Sequence, residues 1–162
     1  MAAAKEKMSL EQYLAACGKG DGDFVQELHD YMLANKGKVT FEKQKTNSLG
    51  SLKYKQRSVF NFLLREHGLF VRIYGENIGT YPDFLQTLPG EMIGEIQQAG
   101  LCKWLVYGKC SPKCGGYDFH IADEHFQKCR YGCFEFLATE GSKPFIKAFV
   151  EHEMRERMNP VG

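Results

Sequence analysis

What this chain has little of narrows it before any motif is read. No stretch approaches the ~20 apolar residues of a membrane-spanning helix. The opening residues, MAAAKEKMSLEQ, hold no apolar run of signal-peptide length ahead of their charges. These two absences predict a cytoplasmic protein with no membrane partner. Charge of one sign is also scarce: 21 Lys and Arg stand against 20 Asp and Glu, a formal net charge of +1. That balance argues against general avidity for nucleic acid. Catalytic signatures are missing as well. There is no glycine-rich phosphate loop, G-x-S-x-G elbow, H-E-x-x-H helix or dinucleotide fingerprint. GKGDGD shares only its glycine content with such loops and reads as a linker. The carboxylates are spread along the chain, so no acid–base pair and no catalytic residue are nominated, and the balance leans away from an enzyme.

What is present fits one domain. A chain of 162 residues can bury about two-thirds of its unfolded surface. Its 12 Phe and 8 Tyr suggest sheets with large side chains on their faces. We divide the chain into a helical segment over 1–35, a basic strand-and-loop segment over 36–58, and a sheet-and-helix body over 59–162. That body carries a cysteine-bearing hairpin over 109–139.

Ser9 is placed to cap a helix ending at Gly18, and Asp21 or Asp23 to cap a second from Phe24 to Asn35. Lys38–Gln44 reads as a polar strand and TNSLGSL as a loop. Val59–Arg65 and Leu69–Tyr74, joined by Glu66-His67-Gly68, read as a hairpin. Thr80-Tyr81-Pro82-Asp83 has the form of a capping box, opening a helix through Phe84, Leu85 and Leu88. A helix over Glu91–Ala99, then strands over Cys102–Tyr107, Gly116–Ile121 and Phe134–Thr139, follow. Ser142 is placed to cap a final helix, with Phe145, Ile146, Phe149, Val150 and Met154 as its buried stripe. Glu151–Arg155 and Glu153–Arg157 form i,i+4 pairs on its wet side. Val59–Leu88 and Gly116–Val150 resemble two strand-strand-helix units. The expected class is α+β: a mostly antiparallel sheet with helices on one face.

The sharpest chemical feature is Cys110-Ser-Pro-Lys-Cys114 and Cys129-Arg-Tyr-Gly-Cys133, separated by 14 residues. Structural zinc takes four N or S ligands, commonly as two local pairs brought together by the fold. Cys110, Cys114, Cys129 and Cys133 are therefore candidate Zn2+ ligands, with His120 or His125 able to replace one thiolate. Pro112, Gly115-Gly116 and Gly132 supply turns that would aim the thiols at one point. The spacing of three residues within each pair, rather than two, is a departure from the commonest pattern. The same cysteines also fit thiol redox chemistry, favoured by adjacent Lys109, Lys113, Lys128 and Arg130, simple burial, or an iron–sulfur cluster. Cys17 and Cys102 read as core filling.

Two further features are weaker. Between Lys36 and Arg57, seven basic residues meet one acid, Glu42; this is a solvated surface or a phosphate-contacting stripe. Tyr54, Phe62, Tyr74, Tyr81, Tyr107, Tyr117 and Phe119 are a core stripe or the lining of a small-molecule pocket. His29 and His152 read as surface or capping residues on helices, and His67 as a turn residue.

The stretch CFEFLATEGSKPFIKAFVEHEMRER, with the order of elements before it, resembles the YdhG-like family of small bacterial proteins of unknown function. The resemblance implies an α+β fold distantly similar to frataxin, closed by a strand, a charged turn with Pro and an amphipathic helix. It rests on Phe134–Phe136, Lys143-Pro144 and Phe145–Arg157. The cysteine pairs stand outside that pattern, and no catalytic residue is carried over. The chain is also similar to small-molecule-sensing domains of bacterial transcription regulators, built as a duplicated strand/helix unit around an aromatic pocket. The expectation is thus a cytoplasmic binding or structural protein: a zinc-pinned hairpin first, a small-molecule sensor or a thiol–disulfide protein as alternatives. Oligomeric state is not written in the sequence.

Overall fold

The computed structural model describes residues 5–111 and 113–160. Met1–Ala4, Pro112 and Val161–Gly162 lie outside the described residues. The fold is α+β. Eight strands are β1 (Glu6–Met8), β2 (Lys38–Lys43), β3 (Ser48–Tyr54), β4 (Arg57–Arg65), β5 (Gly68–Ile73), β6 (Tyr117–Ile121), β7 (Glu124–Lys128) and β8 (Glu135–Leu137). Six helices are α1 (Leu10–Cys17), α2 (Lys19–Ala34), α3 (Pro82–Leu85), α4 (Gly90–Gln98), α5 (Lys103–Tyr107) and α6 (Lys143–Met158).

Strands β1-β2-β3-β4-β5-β8 form one six-stranded antiparallel sheet, and β6-β7 a separate hairpin. Register decides which side chains share a face, because successive residues point to opposite sides. Leu52 opposes Phe60, which opposes Ile73; Gly50 opposes Phe62, which opposes Val71, itself opposite Phe136. This inner face packs with Tyr13 of α1, Val25, Leu28 and Met32 of α2, and Ile146, Phe149, Val150 and Met154 of α6 in one core. The outer face carries Lys38, Thr40, Ser51, Lys53, Asn61, Arg72 and Glu135, with an apolar row of Leu49, Leu63, Phe70 and Leu137 beside them. Hairpin β6–β7 joins the core through Phe119 and Tyr117, whose rings lie 5.4 and 5.0 Å from Phe134.

Several sequence expectations give way to tertiary packing. TNSLGSL is the start of β3. Gly50 sits there because a Cβ would stand 3.0 Å from the rings of both Phe41 and Phe62, so its glycine marks close packing instead of a loop. GKGDGD opens α2: a Cβ on Gly22 would come within 3.3 Å of the Leu14 carbonyl, and glycine lets α1 and α2 close up. Cys102–Tyr107 is helix α5, not a strand. Only Leu101 makes an isolated bridge to Lys128, and Gly108, in the left-handed region, ends the turn. Strands β1 and β7 were not foreseen. Nor is the duplication observed, since β6 pairs with β7 while Phe134–Thr139 contributes β8 to the large sheet.

Ser9 does cap α1, its hydroxyl accepting from Gln12 N, and Gln12 Oε1 accepting from Ser9 N completes a capping box. Thr80 does not: its hydroxyl donates to Asn77 O, and α3 begins at Pro82 after an uncapped Tyr81. Ser142 stands at the start of α6, but its hydroxyl turns back onto Leu137 O and Thr139 N.

The pair placed on the wet side of α6 is buried. Glu153 is 0% exposed and accepts from Arg157 Nε at 2.8 Å, Tyr81 OH at 2.6 Å, Asn77 N at 3.0 Å and Asn77 Nδ2 at 2.9 Å. Arg157 spends its other nitrogens on Ser58 O and Tyr74 O. Every polar atom of the pair facing the interior is thus met, the condition under which a buried ion pair persists.

Candidate functional site

The four cluster thiols follow the backbone that carries them. Cys110 is exposed in the segment after α5, Cys114 is half-buried ahead of β6, and Cys129 and Cys133 lie in the turn after β7. Cys133 N–H donates to Cys129 O at 3.1 Å, so the second pair shares one turn. Among the described residues, no three His, Cys, Asp or Glu side chains gather as a metal-holding group. Burial pushes the Cys133 thiol up, against a smaller opposing effect of Lys128. Two of the basic residues expected to favour thiolates, Lys128 and Arg130, are engaged elsewhere. Lys128 Nζ caps the C-terminal end of α4, donating to Gln97 O and Ala99 O at 2.8 Å each, and Arg130 pairs with Glu76. Cys102 is buried. Cys17 is half-buried, with burial and then Asp21 raising its thiol to about 11.

The aromatic stripe is mostly core. Phe62, Tyr74, Tyr81, Tyr117 and Phe119 are buried, while Tyr107 is exposed. The three buried hydroxyls are already used: Tyr74 OH accepts from Asn61 Nδ2 at 2.9 Å, Tyr81 OH donates to Glu153, and Tyr117 OH accepts from Gly75 N at 3.0 Å. His152 stacks on Phe84 at 4.5 Å, and burial lowers its pKa.

The two relevant concavities lie at the end of the large sheet. One, about 340 Å³, is lined by Tyr54, Lys55, Arg57, Glu76, Asn77, Glu156, Arg157 and Pro160. Its charges cancel, Arg57 pairing with Glu76 at 3.6 Å and Arg157 being committed to Glu153. The other, about 330 Å³, is lined by Lys36, Lys38, Thr40, Ser51, Lys53, Lys55 and Gln56. Its lining residues are four lysines, two hydroxyl-bearing residues and a glutamine, with no acidic residue; Lys55 lines both hollows, its Nζ lying 5.4 Å from the centre of the Tyr54 ring. None of those four lysines forms an ion pair among the described residues.

Local structure explains how the lysines meet. Lys38 and Lys53 are directly opposite in the β2–β3 register, with Thr40 opposite Ser51 two residues along the same face. Lys55-Gln56 is the two-residue turn between β3 and β4, with φ +50° and +67°, the signature of a type I′ turn. Lys36 follows the α2 C-cap at φ +64°, and bonds from Lys36 N to Leu33 O and from Gly37 N to Met32 O make a Schellman motif. All three positions favour Gly, Asn or Asp; here each is a long polar residue that lines the hollow.

The like-charge pair stands out within its own sheet. Other register partners match opposite charges: Glu6 with Lys43, Lys7 with Glu42, Arg72 with Glu135. Like charges directly opposite destabilise a sheet, so Lys38 against Lys53 is a local cost that an anion between them would remove. The sequence spread these lysines along a basic stretch. The opposition of Lys38 and Lys53 was hidden because Ser48–Leu52, most of β3, read as a loop.

Fold and site define a class: an α+β domain with a basic concavity on the open face of an antiparallel sheet. No particular relative can be set beside it, because comparison with family models, curated proteins and solved structures yields no match. No helix among the described residues is long and apolar enough to cross a membrane.

Proposed function

We propose that this protein is a binding module for a small phosphate-bearing molecule, held in the hollow lined by Lys36, Lys38, Lys53 and Lys55. The observation that carries the reading is the unpaired, directly opposed Lys38 and Lys53, flanked by the hydroxyls of Thr40 and Ser51 and enclosed by Lys36, Lys55 and Gln56. Ammonium groups neutralise phosphate oxygens as point charges, and hydroxyls add directional donors. About 330 Å³ lies at the small end of ligand-site volumes, the scale of a nucleotide or sugar phosphate. A patch of four lysines at one corner of a chain of net charge +1 suits a compact anion better than a long polyanion. The hollow holds no carboxylate, thiol or imidazole, so the function assigned is binding without chemical conversion.

The test is a titration of the full chain with pyrophosphate and with ADP, followed by the backbone amides of Lys38, Thr40, Ser51 and Lys53 in NMR. Saturable shifts at these residues are expected, weakening as salt rises. Lys53→Glu should reduce affinity at least tenfold without loss of melting temperature, since the new carboxylate faces Lys38. Absence of saturable shifts, or unchanged affinity in Lys53→Glu, overturns the reading. So does a single-stranded oligonucleotide that binds the same lysines when neither small phosphate does.

A further inference from the structure

Hairpin β6–β7 carries a second group of chemistry-bearing side chains, remote in sequence from the lysines and apart from the thiols. His120 on β6 and His125 on β7 are direct register partners. Their rings lie 4.5 Å apart between centroids and are within 13° of parallel. Two residues before His120 on the same face, Asp118 receives a contact of 2.5 Å from His125 Nε2 to Oδ1, and Gln127 Nε2 donates to its other oxygen at 3.2 Å. Asp118, His120 and His125 are all exposed, and the turn between the strands adds Asp123. His120's ring makes no hydrogen bond among the described residues.

We propose that His120 and His125 form an exchangeable site for a divalent transition-metal ion, with Asp118 as its positioning residue. When His125 donates through Nε2 to Asp118, its proton sits on that nitrogen and Nδ1 keeps a free lone pair. A ligating imidazole whose other nitrogen donates to a carboxylate is the usual arrangement at metal centres, fixing tautomer and raising basicity. His120 supplies the second imidazole from the adjacent strand, and rotation at these exposed positions lets two nitrogens approach one ion at about 2.0–2.1 Å. Imidazole donors select Ni2+, Cu2+ or Zn2+ over Mg2+ and Ca2+. Two protein ligands leave the remaining positions to water, so the ion exchanges readily and no third side chain is required. The exposed carboxylate of Asp123, in the turn beside the pair, adds negative charge at this end of the hairpin.

The experiment is a Ni2+ titration of the full chain, read by paramagnetic broadening of the imidazole proton signals. The signals of His120 and His125 should broaden first, ahead of those of His29, His67 and His152. His120→Ala and His125→Ala should each weaken binding at least tenfold, whereas His67→Ala should leave it unchanged. Asp118→Asn should weaken it severalfold while broadening still centres on the two rings, which a bystander carboxylate would not produce. All three positions are exposed, and an unchanged melting temperature confirms folding; His120→Gln serves if alanine perturbs the hairpin. Broadening centred elsewhere, or affinity retained in the double histidine variant, overturns the proposal. Loss of binding only when the four cluster cysteines are replaced by serine does so too, assigning the metal to the thiols.

Discussion

At the scale of single residues, the strongest constraint is the carboxylate of Glu153. It is sealed beneath α6 with four donors on its two oxygens. Glu153→Ala would strand Arg157 as a buried, partly uncompensated charge, and chemical denaturation should register a loss of about 3–5 kcal/mol. Glu135 behaves differently because it remains partly exposed between Arg65 and Arg72. Burial pushes its carboxyl up, but hydrogen bonds from both guanidinium groups outweigh this and hold it below its usual value. The unfolded chain then binds the proton more readily than the native state. The contribution of Glu135 is therefore complete above the ordinary carboxylate pKa and is lost as pH falls through the depressed one. Urea midpoints of wild type and Glu135→Gln should differ at pH 7 and converge by pH 3. The cysteines separate by access: Cys110 should react with a thiol reagent at once and Cys133 only on unfolding. If a chelator were needed to expose them together, a shared metal would be holding the thiols.

At the scale of elements, the lysine hollow depends on turns that accept strain. In the β3–β4 turn, Lys55 and Gln56 both occupy the left-handed region, which costs a non-glycine residue on the order of 1 kcal/mol. Replacing Lys55-Gln56 by Asn-Gly should raise stability by about 1 kcal/mol while weakening phosphate binding through loss of the Lys55 ammonium. A calorimetric scan paired with the pyrophosphate titration checks both directions in one variant. In β3, Gly50→Ala should cost about 1–3 kcal/mol through crowding of Phe41 and Phe62. These elements also show why the sequence was read well in some places and poorly in others. The hairpin β4–β5 was legible because β-branched and aromatic residues fill both strands around the Glu66-His67-Gly68 turn, and in β5 Leu69, Val71 and Ile73 alternate with less buried neighbours. Strand β3 and the first turn of α2 were not. Glycine is a breaker in local statistics, and its packing value emerges only when the facing ring or helix is in place.

At the scale of the whole molecule, the sheet segregates its two faces. The inner one is closed by α1, α2 and α6; the outer one carries the Arg65–Glu135–Arg72 network toward β8 and the lysine hollow toward β2. Ligand stabilises the native state by mass action if it binds only that state, so saturating pyrophosphate should raise the melting temperature of wild type and leave that of Lys53→Glu in place.

Composition and periodicity alone determined the α+β class, the central hairpin, the amphipathic closing helix and the Ser9 helix cap, because each depends on residues a few positions apart. Tertiary structure decided the rest. It turned Cys102–Tyr107 into a helix, separated β6 from β8, buried Glu153 with Arg157, and drew Lys36 and Lys38 beside Lys53 and Lys55. The physical reason is common to all of these: strand partnership and burial are set by contacts distant in sequence, and no local pattern records which face of a strand will meet a neighbour.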